Sequence, residues 1–90
     1  MDIGANIVVS GEVQGVGYRY YVWDQAMHLR LKGFVKNNKD GTVEIEVEGT
    51  SFLINEFLKR LKVGSRTSKI DDIKVKRKEY KNQYKSFDIR

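Results

Sequence analysis

The sequence predicts an α+β domain of the ferredoxin-like split β-α-β type, in the order β-α-β-β-α-β plus a short C-terminal strand, with an antiparallel sheet carrying two helices on one face. Three observations predict it: two stretches of helical apolar period, a hairpin signal between them, and short β-rich runs outside both. The 90 residues suit one domain spanning 1–90, near the lower end of the length that buries a core without disulfides or metals. No proline, repeat or low-complexity run marks a linker. Residues 1–5 are expected to form a short flexible extension.

Ile7, Val8 and Val9, followed by Ser10 and Gly11, read as a short buried strand. Tyr18, Val22, Ala26 and Leu29 recur at spacings of four, four and three, one face of a helix running to about Leu31 and ending near Gly33. Phe34 to Asn38 and Thr42 to Glu48 flank Asp40-Gly41, a hairpin signal. In the second arm Val43, Ile45 and Val47 alternate with Glu44, Glu46 and Glu48, which predicts one buried and one wet face. Ile54, Phe57, Leu58 and Leu61 fit a second amphipathic helix, with Thr50 or Ser51 as its N-cap and Gly64 as its stop. Ile73 and Val75 mark another strand, and Phe87 and Ile89 a last short one.

Composition narrows the chemistry. With no cysteine and a single histidine, His28, the chain has no disulfide framework, no thiolate nucleophile and no clustered zinc site. The stretch MDIGANIVVSG has no basic lead-in and only three consecutive apolar residues, Ile7 to Val9, so neither a signal peptide nor a membrane span is expected, and the protein reads as soluble and cytoplasmic. The net charge of +5 is uneven: residues 1–58 hold five Lys/Arg against eight Asp/Glu, residues 59–90 twelve against four. A basic half attracts anions or nucleic acid, or is simply a solvated face.

The stretch SGEVQGVGYRYYVW sets Arg19 at the start of the first helix. The first turn of a helix is partly positive, so a cation there costs roughly 0.3–1 kcal/mol unless an anion sits beside it. The only acid within the next five residues is Asp24. Neither the dinucleotide fingerprint nor the P-loop spacing fits these glycines. Two readings remain open: a glycine-permissive loop, Gln14 to Tyr18, whose main-chain N–H groups and Arg19 bind an anion, or a tight strand-to-helix turn with a solvated arginine.

Gly11 to Arg19, GEVQGVGYR, resembles the first acylphosphatase signature, and Gly33 to Val43, GFVKNNKDGTV, with Gly49 beyond it, resembles the second. Together the two motifs are highly specific, and the likeness runs from about Asn6 to Arg90. The resemblance implies a small, metal-free and cofactor-free hydrolase of carboxyl-phosphate mixed anhydrides. In it Gln14, Gly15, Val16, Gly17, Tyr18 and Arg19 bind the substrate phosphate, Arg19 and Asn37 are catalytic, and Asn37 holds the attacking water. An acyl phosphate is then the substrate and inorganic phosphate a product. Two departures stand out: Tyr18 replaces the usual phenylalanine, and Val63 to Lys69, VGSRTSK, lacks the usual proline.

The implied chemistry needs little equipment. The leaving carboxylate has a conjugate acid titrating near 4.3, as a glutamate does, so it departs at neutral pH without a general acid. Phosphoryl transfer through a loose transition state asks mainly for positioning and charge stabilisation.

The remaining chemistry-bearing residues read as structural. His28 falls away from the apolar stripe as a solvated side chain, Trp23, Met27 and Tyr20 form a secondary stripe, and Tyr80 and Tyr84 rim a loop. Two rivals are weighed: an RNA-binding module, and a non-catalytic phosphate-binding or regulatory domain. The RNA-binding aromatic signature belongs on the third strand, where this chain places three glutamates, so nucleic acid is not expected. Arg19 and Asn37 argue for turnover. A monomer is expected.

Overall fold

The computed structural model describes residues 1–90. Its elements are β1 (Asp2–Glu12), α1 (Tyr18–His28), β2 (Lys32–Asn37), β3 (Val43–Thr50), α2 (Ser51–Val63), β4 (Lys69–Lys78) and β5 (Phe87–Ile89). The sheet order is β4-β1-β3-β2-β5. The ferredoxin-like plan predicted from the sequence is therefore the one observed, with two differences.

The first is the N-terminus. Residues 2–5, expected to be flexible, begin β1 and pair with β3 from Asp2 opposite Thr50 onward. Strands β3 and β4, one on each side, pair the main-chain groups of Gly4 and Asn6, which β-propensity does not advertise.

The second is the sense of β5. The other neighbouring pairs are antiparallel, whereas β5 lies parallel to β2, with Gly33 opposite Phe87. The sheet is therefore mixed, not wholly antiparallel. Alternating directions across β2, β3, β1 and β4 leave β4 running opposite to β2, so a chain that turns back after β4 and crosses to the far edge arrives parallel to β2.

Alternate residues of the strands fill the core. Ala5, Ile7 and Val9 of β1 and Val43, Ile45 and Val47 of β3 meet Tyr18, Val22 and Ala26 of α1 and Ile54, Phe57 and Leu61 of α2, all buried. Thr50 caps α2 by accepting from the Leu53 N–H at 3.3 Å, as the capping pattern predicts. The extra hydroxyl of Tyr18 donates to the Leu61 main-chain oxygen at 3.1 Å, and Tyr21 donates to that of Arg60 at 2.8 Å. Both acceptors lie in the last turn of α2, where the Arg60 oxygen also accepts from the Gly64 N–H at 3.1 Å, so the two tyrosines lock α1 onto α2. Burial of both rings pushes both phenols upward from their ordinary value.

The alternation of β3 predicts a wet row of glutamates, but Glu46 and Glu48 are buried. Glu46 accepts from Asn6 and pairs with Lys78, while Glu48 accepts from the main-chain N–H groups of Lys81 and Gln83 at 2.9 and 3.0 Å. The segment between β4 and β5 crosses this end of the sheet and covers it. His28 is exposed, with Nδ1 2.9 Å from the Asp24 main-chain oxygen.

Candidate active site

Gly15 and Gly17 set the loop between β1 and α1. Their φ angles are +73° and +78°, the left-handed region that favours glycine. A Cβ at either would meet nothing within 4 Å, so both glycines turn an open side outward. Gly17 precedes α1 without any side-chain cap, and the first turn holds no acid. The leading N–H groups of that helix thus have no intrahelical partner and no side-chain acceptor.

Two contacts hold the loop. Gln14 Nε2 donates to the main-chain oxygens of Asn38 and Thr42 at 2.8 and 2.9 Å, tying the loop to the β2–β3 turn. On the other side Thr67 Oγ1 donates to the Val16 main-chain oxygen at 2.6 Å. Thr67 lies in the proline-free VGSRTSK loop, which a Ser65–Ser68 turn closes through the Ser65 N–H to Ser68 Oγ bond at 2.8 Å.

Arg19 is half-buried and pairs with no Asp or Glu side chain; the ion pairs join His28 with Asp24, Arg60 with Glu56 and Lys78 with Glu46. Its Nη1 donates to the Arg90 main-chain oxygen at 2.9 Å. Arg90 is fixed in turn, its N–H donating to Val35 and its guanidinium lying 4.2 Å from the centre of the Phe34 ring. One guanidinium donor is thereby used and four remain.

Asn37 ends β2 and is exposed, with no partner in the chain for its side-chain amide. Asn38 is committed to the turn: its Nδ2 donates to Thr42 Oγ1 at 3.1 Å and to Glu44 Oε1 at 3.2 Å. The alternation of a strand separates the two neighbours.

A cavity of about 210 Å³ brings Gly15, Gly17, Tyr18, Arg19 and Asn37 together, along with Val13, Tyr20 and Ile89. Of the residues singled out from the sequence, Gln14 and Val16 do not line it. Gln14 supports the loop from behind, and Val16 borders a neighbouring groove. Sequence reasoning missed Tyr20 and Ile89 as walls. The position of Tyr20 beside Arg19 is a signal for the first; the second depends on the parallel docking of β5, which no local pattern discloses. No three His, Cys, Asp or Glu side chains are grouped to hold a metal, and no helix is long and apolar enough to cross a membrane. What the site offers is a preorganised cradle of main-chain donors, one arginine and one free amide.

The Acylphosphatase family model matches residues 5–89. An acylphosphatase of Bacillus licheniformis is 43% identical over 83 residues, 92% of each chain. The crystal structure of acylphosphatase from Bacillus subtilis superposes with a TM-score of 0.93 at 40% identity, covering 97% of both chains. An acylphosphatase structure from Coxiella burnetii gives 0.93 at 29% identity, covering 99% of this chain and 93% of that one.

Proposed function

Starting from a chain that belongs to the acylphosphatase family and hydrolyses acyl phosphates to carboxylate and inorganic phosphate, we propose that the Gln14–Tyr18 loop and Arg19 hold the phosphoryl group while Asn37 positions the attacking water. The observation that carries this assignment is the shared cavity: Arg19, without an Asp or Glu side chain beside it, and Asn37, with a free amide, line one space with the two open glycines.

In this reading the main-chain N–H groups of the loop and the first turn of α1 donate to the phosphoryl oxygens, and the free donors of Arg19 form a planar fork on two of them. The bound anion neutralises the partly positive helix end that Arg19 otherwise opposes. The Asn37 amide orients a water in line with the scissile bond. The water oxygen bonds to phosphorus as the bond from phosphorus to the acyl oxygen breaks. That electron pair leaves on the carboxylate, and the surplus water proton passes to the inorganic phosphate or to solvent. Since the carboxylate is a good leaving group, neither a histidine nor a metal is called for.

The same reading takes the protein as a cytoplasmic monomer acting on small molecules and not on nucleic acid. Its cysteine-free composition supports the cytoplasmic reading. The test is a continuous assay of an aryl acyl phosphate beside a phosphate monoester, with and without chelator. Chelator-resistant turnover of the acyl phosphate alone is expected, with competitive inhibition by inorganic phosphate. Chelator-sensitive turnover contradicts the metal-free mechanism.

A further inference from the structure

Two large apolar side chains next to the catalytic groups stay in solvent: Tyr20 is 63% exposed and Ile89 43%. Both border the cavity that holds Arg19 and Asn37. Tyr20 follows Arg19 on α1, and its ring is backed by Trp23, the centroids 5.5 Å apart at 33°. On its far side Tyr20 borders a second groove of about 410 Å³, beyond Val16 and Gly17, where Asp24 and Arg66 also lie. Tyr20 is thus the wall shared by the phosphate cavity and that groove.

We propose that Tyr20, held against Trp23, and Ile89 form the subsite for the acyl group and select neutral, apolar acyl phosphates, aromatic ones above all. The inference rests on the phosphate assignment given above. A phosphoryl group on Arg19 has its acyl substituent in the same cavity, where Tyr20 and Ile89 are the large apolar side chains in reach of solvent. Arg19 is the one charged side chain among those walls, and the phosphate occupies it. A carboxylate on the acyl side is left without a counter-charge there, whereas an uncharged ring meets an aromatic face already fixed by its neighbour. In the second groove Asp24 and Arg66 carry opposite charges, so neither sign of substituent is favoured. Offset stacking adds to burial for a ring and adds nothing for a methyl group. Selection by these two side chains therefore separates benzoyl from acetyl, with the phosphate contacts common to both.

The test compares kcat and KM for benzoyl phosphate and acetyl phosphate in the parent, Tyr20→Ala, Tyr20→Phe and Ile89→Ala, with the inhibition constant of inorganic phosphate measured alongside and thermal melts to verify folding. Tyr20→Ala keeps the main-chain amide and removes only the ring. The expected result is a loss of about three- to tenfold in kcat/KM for benzoyl phosphate, mostly through KM. Acetyl phosphate turnover and phosphate inhibition stay within about twofold, Tyr20→Phe resembles the parent, and Ile89→Ala shifts the same ratio less. An unchanged benzoyl-to-acetyl ratio in Tyr20→Ala, or an equal loss on both substrates, overturns the subsite and leaves the phosphate assignment standing. Failure of the parent to turn over either substrate overturns both.

Discussion

Gln14 holds the oxygen of Asn38. The bond, 2.8 Å from Nε2, joins the loop before α1 to the residue after Asn37, and so fixes the two halves of the site relative to each other. The bond to the Thr42 oxygen reinforces it, but both acceptors keep a main-chain partner of their own in the turn. Gln14→Ala is therefore expected to cost only about 1–2 kcal/mol of stability. Activity is expected to fall further than stability, since a misplacement of about 1 Å is worth about 100-fold in rate. Chemical denaturation and initial rates on the same preparation check this, and unchanged kcat removes Gln14 from the positioning of the site.

Asn37 and Asn38 are predicted to separate by function. Asn37→Ala is expected to lower kcat by about 100-fold with little change in KM, because an amide that orients water acts in the transition state. Asn38→Ala removes the bonds to Thr42 and Glu44, and is expected to lose about 1 kcal/mol of stability while kcat stays near that of the parent. Kinetics and thermal melts on the pair distinguish the roles, and a kcat collapse confined to Asn38→Ala reverses them.

Tyr18 governs the alkaline limit. Burial raises its phenol in the folded protein, so the unfolded chain ionises first, near pH 10, and binds fewer protons than the native state above it. Stability contributed by the neutral phenol is present below pH ~10 and falls above it, by up to about 1.4 kcal/mol per pH unit. Tyr21 and Lys78, both raised in the folded state, act in the same direction. Tyr18→Phe loses the bond to the Leu61 oxygen, about 1 kcal/mol at neutral pH, but is expected to give a flatter stability curve between pH 9.5 and 11. Urea midpoints across that range measure the difference.

Glu48 fastens the crossing between β4 and β5. Glu48→Ala strips the acceptor from the Lys81 and Gln83 amides, and is expected to cost about 1–3 kcal/mol while speeding hydrogen exchange at those two positions more than elsewhere. Uniform exchange across the chain would place the effect in global unfolding instead.

Fold legibility followed locality. The helix through Tyr18, Val22 and Ala26 and the alternating arm Val43, Ile45, Val47 are buried as their periods require, because each pattern reports its own face. Strand β1 reaches back to Asp2 because β3 is there to pair with it, a fact absent from residues 1–5 themselves. Glu46 and Glu48 have the alternation of a wet face and are buried, since their cover arrives from residues more than thirty positions later. At the site, the glycine loop and Arg19 were legible as an anion cradle or a turn, and the family motifs pointed to Asn37. The wall formed by Ile89 was not legible, for it requires β5 to dock parallel to β2.

Arg19 tests the central assignment most directly. Its guanidinium opposes the helix end by roughly 0.3–1 kcal/mol and regains about 0.5–1.5 kcal/mol through the Arg90 oxygen, so Arg19→Ala is expected to be near-neutral for folding. A lysine cannot reproduce the paired donors, so Arg19→Lys should also weaken inorganic phosphate as a competitive inhibitor and lower turnover by about 100-fold or more. The deciding measurement is the inhibition constant of inorganic phosphate and kcat/KM for an aryl acyl phosphate in the parent and Arg19→Lys, read beside their melting temperatures. The account predicts a steep loss of both at unchanged melting temperature; lost folding with phosphate inhibition retained by the folded fraction would make Arg19 a structural residue and contradict it.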